Sequence, residues 1–193
     1  MKTFIFSTAA LALVGTLLVG VQTVFSDDDG RYEGRGYWER DMMRSTGVTS
    51  KPNPLYQEEC GSCHMAYPPG LLPSASWRKM MGNLEDHFGD NAQLDDDVSQ
   101  QLTEFLVANS ASNSNDRRSR AFEYGSDYPD TMIPLRITDL PYFRHEHNEI
   151  PRWVLKRAGI GSLSECSACH QNAEKGWFNE HDIYIKGIGR WDD

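Results

Sequence analysis

Residues 59–64 read ECGSCH, and residues 165–170 read ECSACH. In both stretches, two cysteines three positions apart are followed at once by a histidine, which is the spacing that attaches a c-type haem covalently. Each thiol adds to one vinyl group of the porphyrin, and the histidine is thereby carried under the iron as an axial ligand. Two such motifs predict two covalently bound haem c groups, with iron as the metal.

The two motifs use all the cysteines of the chain, which are Cys60, Cys63, Cys166 and Cys169. Paired CxxC motifs also bind zinc through four thiolates, but zinc would not require a histidine directly after each second cysteine. A thioredoxin-like redox site is expected beside apolar strand runs, which neither motif has. Disulfides are a further alternative in an exported chain, and they too leave the two histidines unexplained.

The N-terminus has the pattern of a secretory signal. A basic start precedes an apolar run from about Phe4 to Val21. The residues just before Asp27 are small enough or otherwise acceptable for signal-peptide cleavage, so residues 1–26 are interpreted as a signal peptide. An uncleaved anchor is the alternative, because the run is close to the minimum length of a transmembrane helix. In both cases the body is exported, and the predicted location is the periplasm.

The chain is acidic, with a formal net charge of −9. This charge makes nucleic acid an unfavourable partner. It favours redox proteins that present a basic contact surface, although acidity also helps to keep an exported protein in solution. Membrane attachment is expected only if the signal segment is not cleaved.

Three segments are predicted after the signal. Residues 27–51 are polar and rich in glycine and arginine, and they are predicted to form a flexible arm. Residues 52–115 and 116–193 contain one motif each and are predicted to be two small cytochrome c-like haem domains, mainly α-helical with much irregular loop. The first domain has the order motif, loop, helix, helix, which is similar to a class I cytochrome c.

Local patterns predict the elements around the motifs. Apolar residues of the stretch 77–88 recur at helical spacing, and His87 lies on the same stripe. A second helix follows the acidic start at Asp95. The polar run at residues 110–120 is typical of a linker or an exposed turn, and residues 135–138 read as a short strand.

The chain has six histidines. His64 and His170 are the proximal haem ligands by their place in the motifs, and a second axial ligand is usually another histidine or a methionine. His181 lies near the second motif and either binds iron or hydrogen-bonds a propionate. The candidates for the two distal positions are His87, His145, His147, His181 and Met132.

Spacing along the chain gives each haem one candidate in its own half. His87 follows His64 by the same number of positions as His147 precedes His170. An imidazole on an apolar stripe that faces the first haem is well placed as a ligand. His145 lies two positions from His147 and is its direct rival for the second haem.

These residues closely resemble the bacterial dihaem cytochrome c family. The similarity covers most of residues 55–180, and its proline-rich loop makes it more specific than a CxxCH motif alone. The stretches that carry it are the two motifs, AYPPGLLP at 66–73, SW at 76–77, DHFG at 86–89, RIT at 136–138, YF at 142–143, EH at 146–147 and AE at 173–174.

The resemblance implies a two-domain periplasmic electron carrier with two low-spin haems, each ligated by two histidines. The family's proximal ligands correspond to His64 and His170, and its distal ligands correspond to His87 and His147. It also implies two redox partners, a small high-spin monohaem cytochrome that binds diatomic molecules and a membrane cytochrome b.

Electron transfer without enzymatic activity is therefore the predicted function. Two axial imidazoles leave no open site for a substrate at either iron, and they predict lower potentials than histidine–methionine ligation. The alternative is a dihaem enzyme or a gas-binding protein, which requires one iron without a second protein ligand.

Overall fold

The structure, a computed structural model, describes residues 47–123 and 132–191. Within these ranges most regular structure is helical, and single 3₁₀ turns and loops join short helices, so the predicted fold class is confirmed. The helices are α1 (Pro54–Cys60), α2 (Ser74–Met81), α3 (Asp96–Ala108), α4 (Arg117–Ala121), α5 (Pro141–Glu146) and α6 (Arg152–Ala158). The predicted signal peptide and the predicted arm up to residue 46 lie outside the described residues.

Helix α1 delivers the first CxxCH motif. The Asn53 side chain caps its N-terminus by accepting a hydrogen bond from the Tyr56 amide at 3.0 Å, and Pro54 supplies a preset φ at the first position. The helix ends at Cys60, and Gly61 follows as its C-cap. The two cysteines therefore lie at the point where the chain leaves the helix.

The hydrophobic core of the first half lies between α2 and α3. Trp77 on α2 and Leu102 and Leu106 on α3 are almost fully buried. The indole Nε1 of Trp77 donates to the carbonyl of Pro69 at 2.8 Å, so the proline-rich loop after the first motif is fixed to the same core. The predicted helix after Asp95 is confirmed, with acidic residues in its first turn.

Two sequence predictions about local structure are wrong. The apolar stripe of residues 77–88 does not form one helix, because α2 ends at Met81 and Gly82 caps it, and a separate 3₁₀ turn covers Leu84–Asp86. Residues 135–138 do not form a strand, since a 3₁₀ turn begins at Ile137 and leads into α5.

The polar run at residues 110–120, which composition predicted to be a linker or an exposed turn, is partly buried. Ser110, Ser114 and Ser119 are buried, and the Ala111 amide donates to the carbonyl of Leu72 at 2.9 Å. Small hydroxyl side chains satisfy backbone groups at this packed junction, which is why a polar sequence is buried here.

The second half is less regular. Gly159 ends α6 in the left-handed conformation, with a φ of 70°. A two-stranded antiparallel hairpin, β1 (Tyr184–Ile185) and β2 (Gly189–Arg190), closes the described chain. Across residues 47–123 and 132–191, no helix has the length and apolarity needed to cross a membrane.

The end of the predicted arm, residues 47–51, is packed against both halves of the protein. The Val48 amide donates to the Gly176 carbonyl at 2.8 Å, and the Gly70 amide donates to the Thr49 carbonyl at 3.0 Å. The Thr49 amide also donates to the Ser119 hydroxyl at 2.7 Å. These last residues of the arm therefore form a strap across the folded body.

Glycine is required where the strap crosses Gly176. A β-carbon there would lie 2.5 Å from the Val48 carbonyl oxygen and 2.8 Å from the Ser50 β-carbon. The backbone at Gly176 also has a φ of 77°, a conformation that glycine adopts without steric cost.

Gly176→Ala is expected to destabilise the protein more than Gly187→Ala. Both glycines have similar φ values, 77° and 79°, so both substitutions carry a backbone penalty of about 1–2 kcal/mol. At position 187 a β-carbon would have no described atom within 4 Å, whereas at position 176 it also displaces the strap. Guanidinium unfolding of the holoprotein measures the loss of unfolding free energy in both variants. Equal losses would contradict packing of the strap on Gly176.

Candidate functional site

Two histidines lie opposite each other in the second half of the protein. His147 directly follows α5, and its Nδ1 lies 2.8 Å from the carbonyl oxygen of Phe143, whose ring stacks on the imidazole at 3.9 Å between centroids. His170 follows the 3₁₀ turn Cys166–Ala168, and its amide donates to the Cys166 carbonyl at 2.8 Å. The centroids of the two imidazole rings are 6.2 Å apart.

A second pair of histidines has the same spacing in the first half. The ring centroids of His64 and His87 are 6.1 Å apart, and the ring planes differ by 18°. The Nδ1 atom of His64 lies 2.7 Å from the carbonyl oxygen of Met65. An Nδ1–H bond to a backbone carbonyl fixes the tautomer and leaves the lone pair of Nε2 free to bind a metal, as in most metal-ligating histidines.

The spacing of both pairs suits one metal ion between two imidazoles. With a metal–nitrogen bond of about 2.0 Å and a nitrogen roughly 1.1 Å from its ring centroid, two opposed imidazoles have centroids roughly 6 Å apart. In the described residues, no three His, Cys, Asp or Glu side chains gather into a metal cluster. A porphyrin supplies four nitrogen ligands to its iron, so two imidazoles would complete the coordination. Two nearby thiols would attach the porphyrin ring to the chain.

His87 is presented by a tight turn and not by a helix. The His87 amide donates to the Asp90 carbonyl at 2.8 Å, and the two residues between them have positive φ values, 58° at Phe88 and 102° at Gly89. Two central residues with positive φ are typical of a type I′ turn. A bulky residue at positive φ is strained, and such strain concentrates at functional sites.

The second histidine pair lies in a cavity that opens to solvent. Its walls are mostly apolar, and the thiols of Cys166 and Cys169 are on them. A concave apolar site with a few polar groups is the usual form of a cofactor pocket. The apolar residues of the lining include Leu71, Phe122, Ile137, Phe143, Leu163, Phe178 and Ile183.

Burial favours the neutral forms of three of the candidate ligands and of the Cys166 thiol. Desolvation, followed by the nearby His147 and Arg118, lowers the pKa of His170 to about 4, and desolvation also lowers the pKa of His147 and His87. Neutral imidazole is the form that binds a metal. Burial raises the pKa of the Cys166 thiol to about 11, so that side chain is a protonated thiol near neutral pH.

At His170 the buried Nδ1 atom has no hydrogen-bond partner in the described structure. Buried polar atoms are nearly always paired, so Nδ1 needs a polar partner that the described residues do not supply. The residues present fit the haem that the motif predicts because two opposed imidazoles and both cysteines of the second motif line one cavity.

The remaining ligand candidates lie elsewhere. His145 is on α5 and is exposed, and His181 is exposed on the 3₁₀ turn Glu180–Asp182. Met132 is 60% exposed. Among the described residues that line the cavity, the histidines are His147 and His170, so the geometry separates His147 from the rival that sequence spacing could not exclude.

Sequence reasoning did not assign a role to Tyr67, which connects the two sites. Its ring lies 5.0 Å from that of His64 between centroids, and its hydroxyl donates to the Ser164 carbonyl at 3.0 Å. The Cys166 amide donates to the same carbonyl at 2.9 Å. A tyrosine three positions after the first motif has no sequence signal that distinguishes this contact from ordinary packing.

Comparison with known proteins identifies similar chains. The profile of the family described as dihaem cytochrome c matches residues 56–178. The structure of a diheme cytochrome c from Shewanella baltica OS155 is 42% identical, covers 74% of this chain and 100% of its own, and has a TM-score of 0.59. The diheme cytochrome c from Rhodobacter sphaeroides is 40% identical, covers 68% of this chain and 100% of its own, and has a TM-score of 0.57. A comparison with curated proteins found no match.

Tyr67→Phe is expected to lower the free energy of unfolding by about 1 kcal/mol, the usual net value of one hydrogen bond. The loss is modest because the Ser164 carbonyl keeps the Cys166 amide as a donor. Tyr184→Phe is the matched control, since Tyr184 is 55% exposed and its loss of a hydroxyl should change little. Denaturant unfolding of the holoprotein compares them, and a Tyr67 loss no larger than that of Tyr184 would contradict the contact between the sites.

Proposed function

Since this chain belongs to the dihaem cytochrome c family, whose members are electron-transfer haem proteins with two haem c groups, we propose that it carries single electrons in the periplasm through two bis-histidine haems. The first haem is held by Cys60, Cys63, His64 and His87. The second haem is held by Cys166, Cys169, His147 and His170. Each haem, when bound, supplies a one-electron iron couple, and the protein supplies its attachment, its axial ligands and its surroundings.

The observation that carries this proposal is the matched spacing of the two imidazole pairs, 6.1 Å and 6.2 Å between ring centroids. An imidazole on each side of the iron fills both axial positions. With both positions filled, no coordination site is open to substrate, and electron transfer is the chemistry that remains.

The surrounding residues prepare these imidazoles for ligation. The carbonyls of Met65 and Phe143 orient the rings of His64 and His147 through Nδ1. A hydrogen bond at this position raises the basicity of the ligating nitrogen. Strong donation from two imidazoles favours ferric iron, so both haems are expected at lower potentials than a histidine–methionine haem.

The two sites differ in exposure, and the more exposed first site is the one that a partner protein can contact. Cys63 and His64 are exposed, whereas Cys166, Cys169 and His170 are partly buried in the wall of the cavity. An exposed haem edge is where a transient partner makes contact, and the net charge of −9 favours a basic partner surface and salt-sensitive association. The partners proposed are a small high-spin monohaem cytochrome and a membrane cytochrome b, and the N-terminal signal pattern supports the periplasm.

Low-temperature EPR of the oxidised holoprotein is expected to show two low-spin ferric signals, with two haems per chain by pyridine haemochrome. The signals should differ, because the ligand planes are nearly parallel at the first site, 18° apart, and nearly perpendicular at the second, 72° apart. Perpendicular planes bring the iron d orbitals closer in energy and give the more anisotropic signal. A stoichiometric high-spin signal would overturn the bis-histidine proposal in favour of an enzyme or gas-binding protein with one open iron.

His147→Met is expected to raise the midpoint potential of one haem on the order of 100 mV, within the range of about 0.8 V that axial ligands set. The reason is that a thioether donates less to ferric iron than imidazole does. His145→Met is the control on the same segment and should leave both potentials unchanged, since His145 is exposed. Redox titration followed by absorbance measures both variants, and the reverse result would assign the ligand role to His145.

A further inference from the structure

Arg118 is a cation in the wall of the second cavity with no described counter-ion. It lies on α4 beside the cavity, and its Nη1 atom donates to the carbonyl of Phe178 at 3.1 Å. Its Nε atom is buried and has no hydrogen-bond partner. The neighbours Arg117 and Arg120 on the same helix are exposed, so Arg118 is the arginine of this helix that turns inward.

The carboxylates on the cavity wall are Glu146, Glu165 and Glu180, and none forms an ion pair with Arg118 in the described structure. Glu146 accepts from the Tyr142 hydroxyl at 3.3 Å. Glu165 accepts from two backbone amides, those of Gly161 at 2.8 Å and Ser162 at 3.1 Å. Glu180 is exposed.

A guanidinium that is partly buried against apolar walls requires an anion or a full set of hydrogen-bond acceptors. The group that fills this cavity carries such anions, because every haem has two propionate carboxylates. Guanidinium and carboxylate form short, charge-assisted and often bidentate hydrogen bonds. The cation also shares the cavity with the proposed iron ligands, since Arg118, His147 and His170 all line it.

We infer that Arg118 binds a propionate of the second haem and thereby raises the reduction potential of that haem selectively. The inference rests on the proposed placement of the second haem between His147 and His170. A fixed positive charge in a site of low dielectric destabilises ferric iron more than ferrous iron. Pairing with the propionate also neutralises a negative charge that would otherwise stabilise the ferric form.

Among the described residues, Arg118 is the arginine with a buried side-chain nitrogen that has no hydrogen-bond partner, and it lines the second cavity. A cation near the first site is Arg136, whose guanidinium lies 4.1 Å above the Phe88 ring. Arg136 and Phe88 are both exposed, and solvent screens the field of an exposed charge. Arg118 is therefore expected to act on the second haem and to leave the first nearly unchanged.

The test compares Arg118→Gln with Arg144→Gln in the holoprotein. Both substitutions remove one positive charge, but Arg144 is 68% exposed and pairs with Asp139 at 3.3 Å. Arg118→Gln should lower the reduction equilibrium constant of the second haem about tenfold, equal to roughly 59 mV for one electron. Arg144→Gln should change neither haem, and the second haem is identified as the one whose potential rises in His147→Met.

Two results would overturn the inference. One is an unchanged potential of the second haem in Arg118→Gln, and the other is an equal shift of both haems. Because the EPR spectrum independently reports two low-spin haems, an unchanged potential with that spectrum refutes the role of Arg118 without refuting the bis-histidine proposal.

A crystal structure of the unsubstituted holoprotein provides a second measurement, so that the test does not depend on whether Arg118→Gln folds. A guanidinium nitrogen of Arg118 within hydrogen-bond distance of a propionate oxygen of the second haem supports the inference. A guanidinium paired instead with a protein carboxylate contradicts it.

Discussion

The bis-histidine ligation proposed for each haem requires two imidazoles on opposite sides of a gap, and much of this small structure meets that constraint. The ring centroids of both pairs are about as far apart as two metal–nitrogen bonds require. Only one imidazole of each pair comes from a motif, so the chain must bring the other from a distant position. At the second site this imidazole is His147, at the end of α5. At the first site it is His87, which precedes the strained turn at Phe88.

The two sites meet the constraint with different surroundings. The first is exposed at Cys63 and His64, while the second lies in an apolar cavity with a cation in its wall. Burial and nearby charge are among the means by which a protein adjusts the potential of a haem. The contact of Tyr67 with both sites joins an exposed redox centre to an enclosed one within a short chain.

The parts of the site that depend on local chemistry could be predicted from the sequence. The CxxCH spacing predicted four thiols and two histidines as haem-binding residues, and the acidic start of α3 together with its apolar period correctly predicted that helix. The helical period of residues 77–88 was misleading, because Gly82 ends α2 and the later apolar residues pack from a separate turn. The choice between His145 and His147 depends on which side of α5 meets the cavity, and a spacing of two positions gives no information on that.

Buried polar residues were the least predictable part. The serines of residues 110–120 have the composition of a linker, yet they bond to backbone groups at a packed junction. Arg118 lies in the same run, and its inward orientation is set by tertiary packing of α4. Composition reports the average preference of such residues for water, and it cannot report the few positions where the fold supplies a partner.

The strap at residues 47–51 has a consequence for the order of events during synthesis and export. It lies in the first third of the chain, yet the Ser50 hydroxyl donates to the Glu174 carbonyl, 124 positions later. Contacts between distant positions form late, because the chain must first lose the entropy of closing a long loop. We expect the strap to close last, so that both CxxCH motifs remain accessible to the haem-attachment machinery until the C-terminal quarter has emerged.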